Sequence, residues 1–148
     1  MSELKLLLIV HAGVTLMMTG AIWIIQIVHY PLFSLVGSAG YTAYQNAHMS
    51  AITLVVGPLM LAEAATGAWL LFDRPAGVTL EQAALGLVLI GVVWAMTLFV
   101  NGPQHAALSS AFDPETHAAL VSSNWIRTLA WTLRGGLVLW MLAGALSS

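Results

Sequence analysis

The chain has 148 residues, 59% hydrophobic and only 7% charged, with a formal net charge of −2 and no cysteine. A soluble domain carries about 25% charged residues, so this composition excludes a water-soluble globule. The lack of a basic patch argues against nucleic acid as a partner, and the lack of cysteine excludes disulfides, thiolate metal sites and redox dithiols.

A membrane-spanning helix needs about 20 mainly apolar residues, and four segments qualify. The first covers about residues 4–30 and is expected to stop at Pro31. It has one lysine before its apolar run and no small-residue cleavage site, so it reads as a retained span. The second is apolar over about 51–72, with an amphipathic lead-in from Tyr41 and an internal Pro58. The third covers about 81–100 and is expected to break at Asn101-Gly102-Pro103. The fourth helix begins at Asp113-Pro114-Glu115, where Asp suits the N-cap and Pro the first helical position, and spans about 124–146. Between the third and fourth spans, His105-Ala-Ala-Leu-Ser-Ser110 is echoed by His117-Ala-Ala-Leu-Val-Ser-Ser123. This echo predicts a short interfacial helix from Pro103 to Phe112, beside the start of the fourth. The expected fold is all-α, one integral membrane four-helix bundle in a single domain.

Lys5 precedes the first span and Arg74 lies between the second and third, whereas 31–50 and 102–124 contain neither Lys nor Arg. The positive-inside rule then places both termini in the cytoplasm, with the protein multi-pass in the membrane. The long outer connections, with the end of the first span beside them, hold four of the five histidines and all three tyrosines. Chemistry favours the longer, more polar loops, so the site is expected at the outer face.

His11 and His29 share a face of helix one but stand roughly 27 Å apart, too far to share a metal ion. Tyr41, Tyr44 and His48 form a stripe on helix two. His29, His48, His105 and His117 could meet at one outer level. Imidazoles suit copper, iron or zinc, and an axial pair suits haem. The alternative is that these histidines and tyrosines simply favour the polar interface, as aromatic residues do. The tryptophans read as interface anchors or core, and Gly13, Gly20, Gly67, Gly86 and Gly91 as close-packing positions.

Three charges, Glu63, Arg127 and Arg134, fall inside apolar stretches, where each costs roughly 3 kcal/mol on insertion scales. Helices two and four run in the same direction, so depths can be counted from a common end. Glu63 then becomes the acidic candidate for Arg134, either as a structural pair or as a proton-carrying group. Arg127 lies nearer the outer rim with Asn124. Pro58, after Gly57, kinks helix two and could open a pocket above Glu63.

The stretch Asn124-Trp-Ile-Arg127-Thr128 on the last helix, and His29-Tyr-Pro-Leu-Phe33 on the first, resemble patches of the small four-helix bacterial membrane proteins grouped with anthrone oxygenases. Length and layout are similar too. That resemblance implies a four-helix fold, and for some members the conversion of anthrones to quinones. Val10-His11-Ala12 and Pro58 with Gly67-Ala-Trp-Leu70 are similar to segments of the HemJ-type protoporphyrinogen oxidases, although the second half departs from that pattern. Both resemblances imply membrane redox chemistry.

Two functional readings follow. In one, the chain is an oxidoreductase-like or cofactor-binding protein acting on a small apolar quinone- or phenol-like molecule. Its histidines hold a transition metal or haem, and Tyr30, Tyr44, Asn101, Asn124 and Arg127 contact the substrate. In the other it is a non-enzymatic transport or accessory subunit, stitched together by Glu63 and Arg134, whose outer loops contact a partner. Membrane lipid surrounds it in both, a homodimer or partner subunit is compatible with both, and whether it is an enzyme stays open.

Overall fold

Four helices account for nearly all of the chain in the computed structural model, which describes residues 2–148: α1 (Glu3–Leu35), α2 (Ser38–Phe72), α3 (Leu80–Leu108) and α4 (Pro114–Ser147). All four are long and apolar enough to cross a membrane. They run up and down, each packed beside the next, and α4 closes the bundle against α1. One end carries the termini and the α2–α3 turn; the other carries His29, His48, His105 and His117 and is called the histidine end.

Local chemistry explains the helix starts. Asp113 caps α4, its carboxylate accepting from the Thr116 N–H at 2.8 Å and the Thr116 hydroxyl at 2.6 Å. These bonds hold the exposed Asp113 carboxyl below its usual range. Thr79 and Gln82 form a reciprocal capping box at the start of α3. Gly77, at φ 85°, lets the α2–α3 turn pack on the end of α4; a Cβ there would strike the Gly144 carbonyl oxygen.

Two expected helix stops are absent. α1 passes through Pro31 and α3 passes through Pro103, each after a π-helical turn, Ile25–His29 and Thr97–Asn101. In these turns the Tyr30 N–H bonds the Ile25 carbonyl and the Gly102 N–H bonds the Thr97 carbonyl, five residues back. The wider turn leaves room for the proline ring that follows and for the carbonyl it would otherwise strike. The predicted interfacial helix from Pro103 to Phe112 is therefore the last two turns of α3, ending at Leu108. The long outer loops also vanish. Only short turns join α1 to α2 and α3 to α4, and the histidines stand on helices.

Two apolar clusters make the core. One, toward the histidine end, includes Met18, Ile22, Phe33, Tyr41 and Trp131; the other, toward the termini, includes Leu8, Leu70, Leu137 and Met141. A layer of polar side chains around Glu63 and Arg134 lies between them. The flanks of the bundle are apolar, with Leu54 78% and Phe72 85% exposed. Of the five glycines read as packing positions, Gly67 and Gly86 face neighbouring side chains, while Gly13, Gly20 and Gly91 face open space.

Candidate functional site

A cavity of about 260 Å³ lies between α2 and α3 in the histidine-end half of the bundle. Its α2 wall is a single helix face, Met49, Ile52, Thr53, Val56, Gly57, Met60 and Leu61, about 18 Å long at 1.5 Å per residue. Backbone irregularities surround it. Ile25, Thr97 and Asn101 belong to the two π turns, and Gly57 precedes Pro58, which leaves the Leu54 carbonyl without its helical donor. The threonines on the wall present little polarity. Thr53 bonds the Met49 carbonyl at 2.7 Å and Thr97 the Val93 carbonyl at 2.8 Å.

Four polar side chains complete the lining: Tyr30 from α1, Asn101 and His105 from α3, and Arg127 from α4, all buried. The Tyr30 hydroxyl and His105 Nε2 are 2.7 Å apart. Gln45 Nε2 lies 3.0 Å from His105 Nδ1 and 3.4 Å from its carbonyl oxygen, so Gln45 donates to Nδ1 and the ring proton sits on Nε2. His105 then donates to the Tyr30 oxygen, which leaves the Tyr30 hydroxyl proton free.

Arg127 is held from behind. Gln26, in the π turn of α1, accepts from Asn124 Nδ2 at 2.9 Å and from the Thr128 hydroxyl at 3.2 Å, and donates to the Val121 carbonyl at 3.1 Å. Asn124 Oδ1 in turn accepts from Arg127 at 3.2 Å, and the guanidinium stacks on Trp131 at 5.3 Å. Two buried polar atoms on the cavity residues have no partner, the donor Nε of Arg127 and the acceptor Oδ1 of Asn101. Asn101 Nδ2 is occupied, donating to Ser123 at 2.9 Å and to Gln104 at 3.2 Å.

Of the expected pocket residues, Tyr30, Asn101, His105 and Arg127 line the cavity. His29, Tyr44, His48, His117 and Asn124 do not. His29 Nε2 and His48 Nδ1 are 2.8 Å apart, and His48 and His105 ring centroids are 5.6 Å apart. His117 Nε2 donates to the Tyr30 carbonyl at 2.8 Å, away from the other three. Two metal–nitrogen bonds of about 2.0–2.1 Å hold imidazole nitrogens more than about 3 Å apart, so no ion fits between His29 and His48 as they stand. Among the described residues, no group of three or more His, Cys, Asp or Glu side chains could hold a metal. As they stand, the four histidines do not form one metal-ligand set.

The second polar group lies deeper and ties all four helices. Arg134 Nε pairs with Glu63 Oε1 at 2.8 Å across the middle of the bundle. Glu63 also accepts from Thr15 at 2.8 Å and from the Trp131 indole at 3.0 Å. Arg134 donates further to the Gly86 carbonyl, to Thr15 at 3.2 Å and to His11 Nε2 at 3.3 Å. Because Nε2 accepts, His11 carries its proton on Nδ1 and donates to Thr66 at 2.7 Å. Gly86 is small where the guanidinium passes, 3.5 Å from where a Cβ would stand.

Sequence reasoning gives no site role to Gln26, Gln45, Thr15 or Thr66. Each is a polar residue in a run of apolar ones, which is a usable signal, but which helix it faces cannot be read from one strand of text. Comparison with known protein families, characterised proteins and solved structures finds no match for this chain.

Proposed function

We propose that the chain is an integral membrane protein that binds a small apolar molecule with an oxygen-bearing ring, quinone- or phenol-like, in the cavity between α2 and α3. Arg127 carries this reading: a buried cation on the cavity wall with no carboxylate partner, whose Nε has no hydrogen-bond acceptor. A buried unpaired donor is costly, more so on a charged group, and a ligand oxygen removes that cost. Asn101 Oδ1 supplies the complementary acceptor for a ligand hydroxyl, and the free Tyr30 proton a second donor. The wall favours a ring over a sugar or an ion because its threonine hydroxyls are already used. Tyr30 and His105, hydrogen-bonded to each other at the lining, are the groups suited to hold a proton if the ligand changes redox state. That would make the chain oxidoreductase-like.

Under the same reading, Glu63 and Arg134 are structural. Both carboxylate oxygens already accept, and Arg134 is bonded to residues of every other helix. Both termini face the cytoplasm and the histidine end faces outward, following Lys5 and Arg74.

The test is equilibrium binding of tetramethylbenzoquinone and its hydroquinone to protein in lipid nanodiscs, read by quenching of Trp94, which lines the cavity. Arg127→Gln should weaken binding by about ten- to a hundredfold, the loss of one or two hydrogen bonds to a charged group. Unchanged affinity in Arg127→Gln, or no binding to the native protein, would sink the proposal.

A further inference from the structure

We infer that the cavity is the head-group chamber of a membrane-dissolved amphiphile, which reaches it sideways between α2 and α3 and leaves its tail in the bilayer past Gly57. This rests on the ligand reading above and names the ligand more narrowly, as a substituted ring bearing a long apolar chain. The first observation is size. A cavity of about 150 Å³ accepts benzene, and sites that bury a whole drug-sized ligand run to about 300–1,000 Å³. At about 260 Å³ this cavity suits one substituted ring and not a ring together with its chain.

The second observation is where the cavity meets the surface. Thr53, Gly57 and Leu61 lie one turn apart on α2 and belong both to the cavity wall and to the flank; Leu61 is 62% exposed. At the centre of this row Gly57 has no side chain, and a Cβ built there would meet only the Thr53 methyl, at 3.9 Å. A gap therefore stands in the flank at Gly57, and its exposed neighbours on α2, Leu54 and Val55, are apolar. The third observation is polarity. Among the cavity residues the unpartnered polar atoms belong to buried Arg127 and Asn101, inside the bundle, while the exposed side chains of Leu54, Val55 and Leu61 beside Gly57 are hydrocarbon. A molecule matched to that gradient is polar at its ring and apolar along its tail.

The experiment compares tetramethylbenzoquinone with a decyl-substituted trimethylbenzoquinone in phosphatidylcholine vesicles, using Trp94→Phe as the quenching blank. Gly57→Leu fills the gap with a side chain that has room. It should weaken the tailed probe about tenfold more than the tailless probe. The thermal unfolding midpoint should not move. If both probes lose equally, or neither loses, sideways access is overturned while ring binding stands; if the native protein binds neither probe, both readings fall. Should Gly57→Leu fail to fold, Thr53→Leu, exposed one turn away, carries the same comparison with the same outcomes.

Discussion

Arg127 and Arg134 lie two turns apart on α4 with Trp131 between them. The indole ring lies under the guanidinium of Arg127, and its N–H donates to the carboxylate that pairs with Arg134. Arg134 thus has a full set of acceptors and Arg127 lacks one, which is why the first reads as structure and the second as a site. Removing one member of a buried pair strands the other, at about 3–5 kcal/mol. Glu63→Gln and Arg134→Gln should each destabilise by about 3 kcal/mol in a detergent unfolding titration, and the double change by clearly less than their sum. Strict additivity would show that the two groups do not interact. Counting residues from a common end is enough to make Glu63 the nearest acidic candidate for Arg134, at a mismatch in depth that the long arginine side chain spans. It cannot find Thr15, Thr66 or His11, because the rotation of α1 about its axis depends on packing that no single segment encodes. The same limit mixed the cavity residues with their neighbours: Tyr30, Asn101, His105 and Arg127 line the cavity, whereas His29 and His48 turn toward each other.

At the scale of the element, four apolar helices and the Asp113 cap are legible in the sequence, because length and capping chemistry are local. Pro31 and Pro103 misled for a physical reason. A proline in a regular helix clashes with the carbonyl four residues back, and the rule that it ends the helix assumes no spare residue. Each π turn supplies one, so α1 and α3 continue and carry Tyr30 and His105 into the bundle. Gly102 closes the second of these turns, and a Cβ there would come within 2.8 Å of the Thr97 carbonyl oxygen. Gly102→Ala should therefore force the turn open, cost about 1–3 kcal/mol and weaken quinone binding, because Asn101 and His105 move with it. A melting temperature and affinity like those of the native protein would show that the turn tolerates the methyl group.

For the whole molecule, the even number of helices puts the termini at one end and the α1–α2 and α3–α4 turns at the other. Because the chain has no cysteine, single cysteines at Ser110 and Ser148 report the two ends without a background. With both termini inside, a membrane-impermeant maleimide added to intact cells should label the Ser110→Cys protein and spare the Ser148→Cys protein until the cells are lysed. The reverse pattern would invert the orientation. The polar layer joining all four helices has a consequence for biogenesis as well. Its donors and acceptors are spread along the chain, from His11 and Thr15 through Glu63 and Gly86 to Arg134. A chain made from its N-terminus presents the carboxylate before the guanidinium that neutralises it, and α4, with two arginines, is the least apolar of the four spans. Under the membrane reading, the last helix meets acceptors that three others already hold, so its insertion and the closure of the bundle are expected to be one event.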